Sequence, residues 1–219
     1  MSVICTQGVV LRCRNRNEAD RLLTVLSPDL GRIIVMARGC RKQKSRFLAF
    51  SQLFCYGELI MHPYRNIYIL KQAEVKNSYF DIRNDMDRLY CATYIVNLAE
   101  AVATTGDDNT SLFMLVLHGL SYLSYSSRHP LEVALVFELK LLEQAGYRPV
   151  IENQAISGIP VHSETAHAAQ VILDSDPEQV EQIRMLPLVR QELNRVLPII
   201  IEEKLELRIH SRSFLNLIP

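Results

Sequence analysis

The chain has 219 residues, 48% of them hydrophobic, and its 24 Lys and Arg are offset by 24 Asp and Glu. That length and composition can bury an ordinary core and exclude disorder, and no apolar run approaches the roughly 20 residues of a membrane-spanning helix. The zero sum hides two opposed blocks, since residues 1–80 hold 13 cations and 5 acids whereas residues 81–219 hold 11 and 19.

Opposed signs point to two modules with different partners, the first drawn to a polyanion. MSVICTQGVVLRCR places arginines directly after a short apolar stretch, unlike a secretory signal, so a soluble cytoplasmic protein is expected. Cys5, Cys13, Cys40, Cys55 and Cys91 are odd in number and never spaced C-x-x-C, which reads as buried reduced thiols, with no disulfide framework and no zinc site.

In chain order, VICTQGVVLRC, ADRLLTVL, RIIVMAR, SQLFCYGELIMH and NIYILKQAEV alternate and are rich in Val, Ile, Leu, Tyr and Phe, which predicts five antiparallel strands within residues 1–78. NRN at 15–17, SPDLG at 27–31 and HPYRN at 62–66 supply the turns. Only the break at 39–49 is long, and around it Arg38, Arg41, Lys42, Lys44 and Arg46 fall in nine positions without an acid.

Five short strands suit a small closed barrel of the oligonucleotide-binding type, with an SH3-like barrel as the rival. A basic loop beside aromatic positions favours the barrel that tracks a nucleic-acid backbone and stacks bases. Arg12, Arg14, Arg16, Arg21 and Arg32 add donors suited to phosphate. Of the aromatic residues Phe47, Phe50, Phe54, Tyr56, Tyr64 and Tyr68, most are expected in the core, and Phe47 and Tyr64, near loops, are the stacking candidates.

From Asp81 the period turns helical, with Ile82, Met86, Leu89, Ala92, Val96 and Ala99 on one side, and predicts a helix over 81–104 closed by Gly106. A second helix follows over 111–125, and a third opens at Pro130 and ends before Gly146. Residues 153–170, broken by Gly158 and Pro160, read as an irregular excursion. Asp176-Pro177-Glu178-Gln179 restarts a helix, and the last stretch, 188–210, is helical but kinked or divided at Pro198.

GVVLRCRNRNEADRLLTVLSPDLGRIIVMARGCRKQKSRF resembles the N-terminal barrel of the bacterial recombination mediator RecO, through Glu18 to Leu22, Gly31-Arg32 and the run Ala37 to Arg46. FELKLLEQAGYRP and HSRSFL are similar to later parts of the same family. The resemblance implies an α+β protein: an oligonucleotide-binding barrel over residues 1–78, then a helical domain over 79–219. It also implies a non-enzymatic, cytoplasmic, nucleoid-associated protein without cofactor. Such a protein binds single- and double-stranded DNA, anneals strands and, with RecR, helps load RecA onto DNA coated by single-strand-binding protein.

Many family members carry a four-cysteine zinc module where this chain reads Gln154-Ala155-Ile156-Ser157-Gly158, so no metal is expected, and an irregular excursion at about 150–172 replaces that module. For the acidic, apolar tail of single-strand-binding protein, Arg128, Lys140, Arg148, Arg190, Arg195, Arg208 and Arg212 are the candidate contacts.

Other chemistries lack support. His162 and His167 stand five apart, not at the i, i+4 spacing that aims two imidazoles at zinc. Glu202, Glu203 and Glu206 read as a solvated helix face, and no G-x-x-x-x-G-K-[ST] loop occurs. The rival functions are an adaptor whose barrel binds RNA or protein, and a metal-dependent nuclease, for which residues 1–80 hold few acids.

Overall fold

The computed structural model describes residues 3–176 and 185–218. Two compact units divide the chain, one of residues 1–80 with 96–117 and one of 81–95 with 118–219. The first holds 13 cations against 8 acids and the second 11 against 16, so the opposition of charge persists.

In the first unit five strands, β1 (Ile4–Asn15), β2 (Arg21–Ser27), β3 (Gly31–Ala37), β4 (Tyr56–Tyr64) and β5 (Ile67–Asn77), close in the order β1-β2-β3-β5-β4. β1 pairs with β4 through Ile4–Val9 and with β2 from Val9 to Asn15, and an irregularity between Val10 and Arg12 lets one strand serve both neighbours. Four pairs are antiparallel, but β3 and β5 are parallel, Val35 opposite Tyr68 and Met36 opposite Ile69. The all-antiparallel expectation therefore fails, for a geometric reason: alternating directions cannot close a ring with an odd number of strands. This is the five-stranded oligonucleotide-binding architecture.

The period of two decides which side chains enter. Leu23 and Val25 of β2 and Ile33, Val35 and Ala37 of β3 join Val10, Leu59, Met61 and Leu70 in the core, which leaves Leu22, Thr24, Arg32 and Ile34 on the outer face. The connection 38–55 is built of turns, and Cys40, Phe47, Phe50 and Cys55 from it complete that core.

Residues 103–109 are laced to the β2–β3 turn. Arg32 N donates to Thr104 O at 2.7 Å, Gly106 N to Leu30 O at 3.1 Å and Asn109 N to Pro28 O at 2.8 Å. Gly31 sits there with φ +64°, and a Cβ on it would lie 2.2 Å from Thr104 O, so only glycine fits.

The helices are α1 (Met86–Val102), preceded by a 3-10 turn at Phe80–Asn84, α2 (Thr110–Tyr125), α3 (Pro130–Gln144), α4 (Ser163–Asp174) and α5 (Pro187–Leu205), with a further 3-10 segment at His210–Leu217. Pro130 opens α3, whose first turn His129 Nδ1 caps by accepting from Leu131 N. Arg88 donates to the carbonyls of Leu123, Ser124 and Ser126, which terminate α2. Met86, expected on the buried side of α1, is exposed, whereas Ala92, Val96 and Ala99 are buried as expected.

The excursion expected to be irregular carries regular structure. β6 (Ile151–Glu152), β7 (Ala155–Ile156) and β8 (Ile159–Pro160) form a three-stranded meander, and α4 follows at once. Its two turns hold Asn153-Gln154 and Ser157-Gly158, all four with positive φ, so Gly158 is a hairpin residue and Pro160 lies on an edge strand. The helix restart expected from Asp176 falls on residues 177–184, outside the described residues.

Pro198 does not divide α5, which continues from Pro187 to Leu205. Proline lacks the N–H that would bond the carbonyl four residues back, and that carbonyl, Asn194 O, instead accepts from Arg212 Nη2 at 3.2 Å. Arg212 also donates through Nε to Glu138 Oε1 and through Nη1 to Asn194 Oδ1, each at 2.7 Å, while Tyr94 Oη donates to Glu138 Oε1 at 2.6 Å.

Candidate nucleic-acid interface

The outer face of β1, β2 and β3 forms the floor of a groove of about 670 Å³. Arg12 and Arg14 rise from β1, Leu22 and Thr24 from β2 and Arg32 and Ile34 from β3; the β4–β5 turn adds Arg65 and Asn66 along one side. Strand alternation explains the strand members of the set, because they alternate along each strand with the inward residues, and Arg12 and Ile34 both stand opposite Thr24. A second groove of the same volume lies among β1, β4 and β5, but Asp29, Glu58 and Glu74 line it. Sign therefore selects the first for a polyanion.

The basic run flanks the β1–β2 turn. Arg41 N donates to Ala19 O at 3.0 Å, Arg41 Nη1 to Asn17 O at 3.1 Å and Gly39 N to Asp20 Oδ1 at 2.7 Å, which fixes the start of the connection against that turn. Arg38, Arg41, Lys42, Lys44 and Arg46 are all exposed, on a connection whose Cys40, Phe47 and Phe50 are buried. Burying one set of side chains presents the other to solvent on an ordered scaffold.

The remaining candidates separate. Arg14 and Arg16 are exposed, with Arg16 Nη1 3.7 Å from Met36 Sδ. Arg21 is half-buried, its Nη1 donating to Ser51 O at 2.7 Å and its Nε to Asn15 Oδ1 at 3.3 Å, so it braces the 38–55 connection. Arg32 Nη1 donates to Glu100 O at 3.1 Å and Arg12 Nε lies 2.8 Å from Glu100 Oε2.

Of the two stacking candidates, Tyr64 stands 47% exposed, with the guanidinium carbon of Arg65 5.5 Å from its ring centroid. Phe47 corrects the expectation. It is only 7% exposed and belongs to the barrel core, because the connection must fill the barrel's end with apolar volume. Phe50 and Phe54 are buried too, and Tyr56 packs edge-on against Phe113 at 5.9 Å.

Three residues were not singled out from the sequence: Arg65, Lys71 and Glu100. Arg65 occupies the HPYRN turn, whose tip position was the available signal. Lys71 of β5 and Arg38, directly after β3, both act on His62. Loss of solvent first, then the charges of Lys71 and Arg38, push the His62 imidazole below its ordinary value.

In the second unit most of the candidate cations for an acidic tail already have partners. Arg128 and Arg190 pair with Glu132, and Lys140 and Arg148 with Glu143, Arg148 reaching Asp174 as well. Arg212 is committed to Glu138 and Asn194. Arg195 is exposed and donates to Pro160 O at 3.0 Å, and Arg208, 78% exposed, pairs with Glu202.

Among the described residues no group of three or more His, Cys, Asp or Glu is placed to hold a metal ion, and no helix is long and apolar enough to cross a membrane. His162 is instead hydrogen-bonded to Glu192, Nδ1 to Oε1 at 2.9 Å.

Two family descriptions match this chain, recombination protein O N terminal over residues 1–79 and recombination protein O C terminal over residues 83–163. The DNA repair protein RecO of Acetivibrio thermocellus is 35% identical over 153 residues, covering 70% of this chain and 61% of that relative. Those of Alkaliphilus metalliredigens and Symbiobacterium thermophilum are 28% and 27% identical, covering 89% and 99% of this chain and 91% and 98% of their own lengths. With a closed five-stranded barrel, a basic outer face and both family descriptions matched in order, the chain belongs to the RecO family of DNA repair and recombination proteins.

Proposed function

We propose that this protein is a recombination mediator that binds single- and double-stranded DNA without regard to sequence, anneals complementary strands and, with RecR, assists RecA loading onto DNA coated by single-strand-binding protein. The observation that carries the reading is two basic features on one barrel: the groove arginines on β1 and β3, and the exposed cations of the 38–46 run. Guanidinium and ammonium groups grip phosphates through charge and counterion release, which supplies affinity but no sequence information.

A protein that grips backbone leaves base edges free to pair with a second strand, as annealing demands. Tyr64, exposed beside Arg65, is the stacking platform of this reading. For the acidic, apolar tail of single-strand-binding protein, α5 offers Arg195 one turn from the exposed Ile199, which fits a cationic contact beside an apolar one. The nuclease alternative is weak on residue grounds, because among the described residues Glu100 is the one carboxylate lining the groove.

The test replaces Arg41, Lys42 and Lys44 together by Ala. Single-stranded DNA binding should weaken for all sequences alike, with the slope of log K against log salt shallower by up to about 0.7 per lost phosphate contact. Strand annealing should slow in parallel. A folded triple variant with unchanged affinity, slope and annealing rate would sink the reading.

A further inference from the structure

Among the described residues four arginines and one acid line the groove, and the acid comes from α1, 68 residues beyond Arg32. Glu100 is nearly buried, its side chain 14% exposed, and its Oε2 lies 2.8 Å from Arg12 Nε. That oxygen is buried and has no aligned hydrogen-bond donor, so Arg12 meets it as an ion partner only. The carbonyl of the same residue accepts from Arg32 Nη1 at 3.1 Å. One residue therefore engages two of the four groove cations.

Its mounting is fixed. Directly beyond it, Thr104 O accepts from Arg32 N at 2.7 Å, Thr105 Oγ1 donates to Arg32 O at 3.2 Å and Gly106 N donates to Leu30 O at 3.1 Å. That lacing holds the backbone that carries the carboxylate beside the groove, whereas the Arg12 side chain, 41% exposed, has solvent to move into.

We infer that Glu100 is an internal stand-in for a DNA phosphate: it holds Arg12, must be exchanged for the incoming strand, and so makes the groove a weaker grip than the 38–46 run. This inference rests on the DNA-binding reading above. The physical consequence is a strand anchored at the basic run and readily released from the groove, where its bases become available for pairing. An ion pair already made inside the protein subtracts one contact from the counterion release that drives binding.

The experiment titrates a fluorescein-labelled oligothymidylate with full-length wild type, Glu100→Gln, Glu100→Ala, Arg12→Ala and the Arg12→Ala/Glu100→Gln double variant at several salt concentrations, with a thermal melt of each. Asp107→Asn, an exposed acid on the turn after α1, controls for the change in net charge.

Freed Arg12 gains one phosphate contact, so Glu100→Gln should steepen the salt slope by about 0.7 and tighten binding about fivefold at roughly 0.1 M salt. Asp107→Asn should change affinity less than twofold, and the gain from Glu100→Gln should fall below twofold once Arg12 is Ala. Two neutral replacements at position 100 keep the test open if one folds poorly. The inference is overturned if neither folded variant binds more tightly, if Asp107→Asn gains as much, or if the gain survives without Arg12. Wild type that binds while the Arg41/Lys42/Lys44 variant does not shows that such a failure is of the inference alone; wild type that does not bind overturns both.

Discussion

Replacing Arg212 by Met tests how the helical unit holds its C-terminal segment. The substitution removes donors to Glu138 Oε1, Asn194 Oδ1 and Asn194 O, at 2.7, 2.7 and 3.2 Å. Glu138 is fully buried and keeps the Tyr94 hydroxyl as donor, while the carbonyl orphaned by Pro198 loses the side chain that substitutes for the missing N–H. Removing one partner of a buried ion pair costs about 3–5 kcal/mol, and at about 2–4 °C per kcal/mol the melting temperature should fall by roughly 10 °C.

The cost depends on pH. Burial pushes the Glu138 carboxyl above its ordinary value against the opposing pull of Arg212, so loss of Arg212 raises it further. A raised acid contributes stability that is present below its unfolded value, near 4.5, and lost as pH rises through the folded value. The gap between variant and wild type should therefore be smaller at pH 5 than at pH 8, and Glu138→Gln in the same background should flatten it. Urea unfolding followed by helical circular dichroism measures this. A variant within about 1 kcal/mol of wild type at pH 8 would refute the reasoning, given the 3–5 kcal/mol of a broken buried pair, as would an equal cost at both pH values.

Phe47→Ala should destabilise the barrel by roughly 3 kcal/mol, a core truncation, whereas Tyr64→Ala should leave the melt within about 0.5 kcal/mol. Tyr64→Ala should nonetheless weaken single-stranded DNA binding by about 1–3 kcal/mol per unstacked base, and unchanged affinity would remove Tyr64 from the interface. Gly31→Ala should cost well over the roughly 1 kcal/mol expected for Gly106→Ala, since both have positive φ but only Gly31 has a carbonyl oxygen where a Cβ would go; equal melts would contradict that contact. Hydrogen bonding to Glu192 raises His162, so its contribution is present below about 6.5 and lost as pH rises through the folded value. Burial opposes ionisation of Glu192, but hydrogen bonds from Thr165 and His162 hold it at about 2, so its contribution is present above 4.5 and lost as pH falls towards that value. Hydrogen-exchange protection at the start of α4, taken relative to the intrinsic rate at each pH, should be greatest between these limits, and a flat profile would argue against the pair.

Local order alone decided much of this protein. Alternation placed the five strands, Pro130 and Gly146 bounded α3, and the sign asymmetry and basic run pointed to a polyanion, because periodicity, capping and charge are carried by neighbours in the chain. Long-range closure decided the rest. The parallel β3–β5 pair follows from an odd-stranded ring; Phe47 becomes core because the barrel's end needs filling; Glu100 enters the groove from a helix 68 residues beyond Arg32. From outside α5, Arg212 supplies a donor to the carbonyl that Pro198 leaves without its helical one. A backbone carbonyl left without its partner, or a carboxylate set among arginines, is satisfied by whatever the fold brings within about 3 Å, and sequence spacing carries no record of that distance.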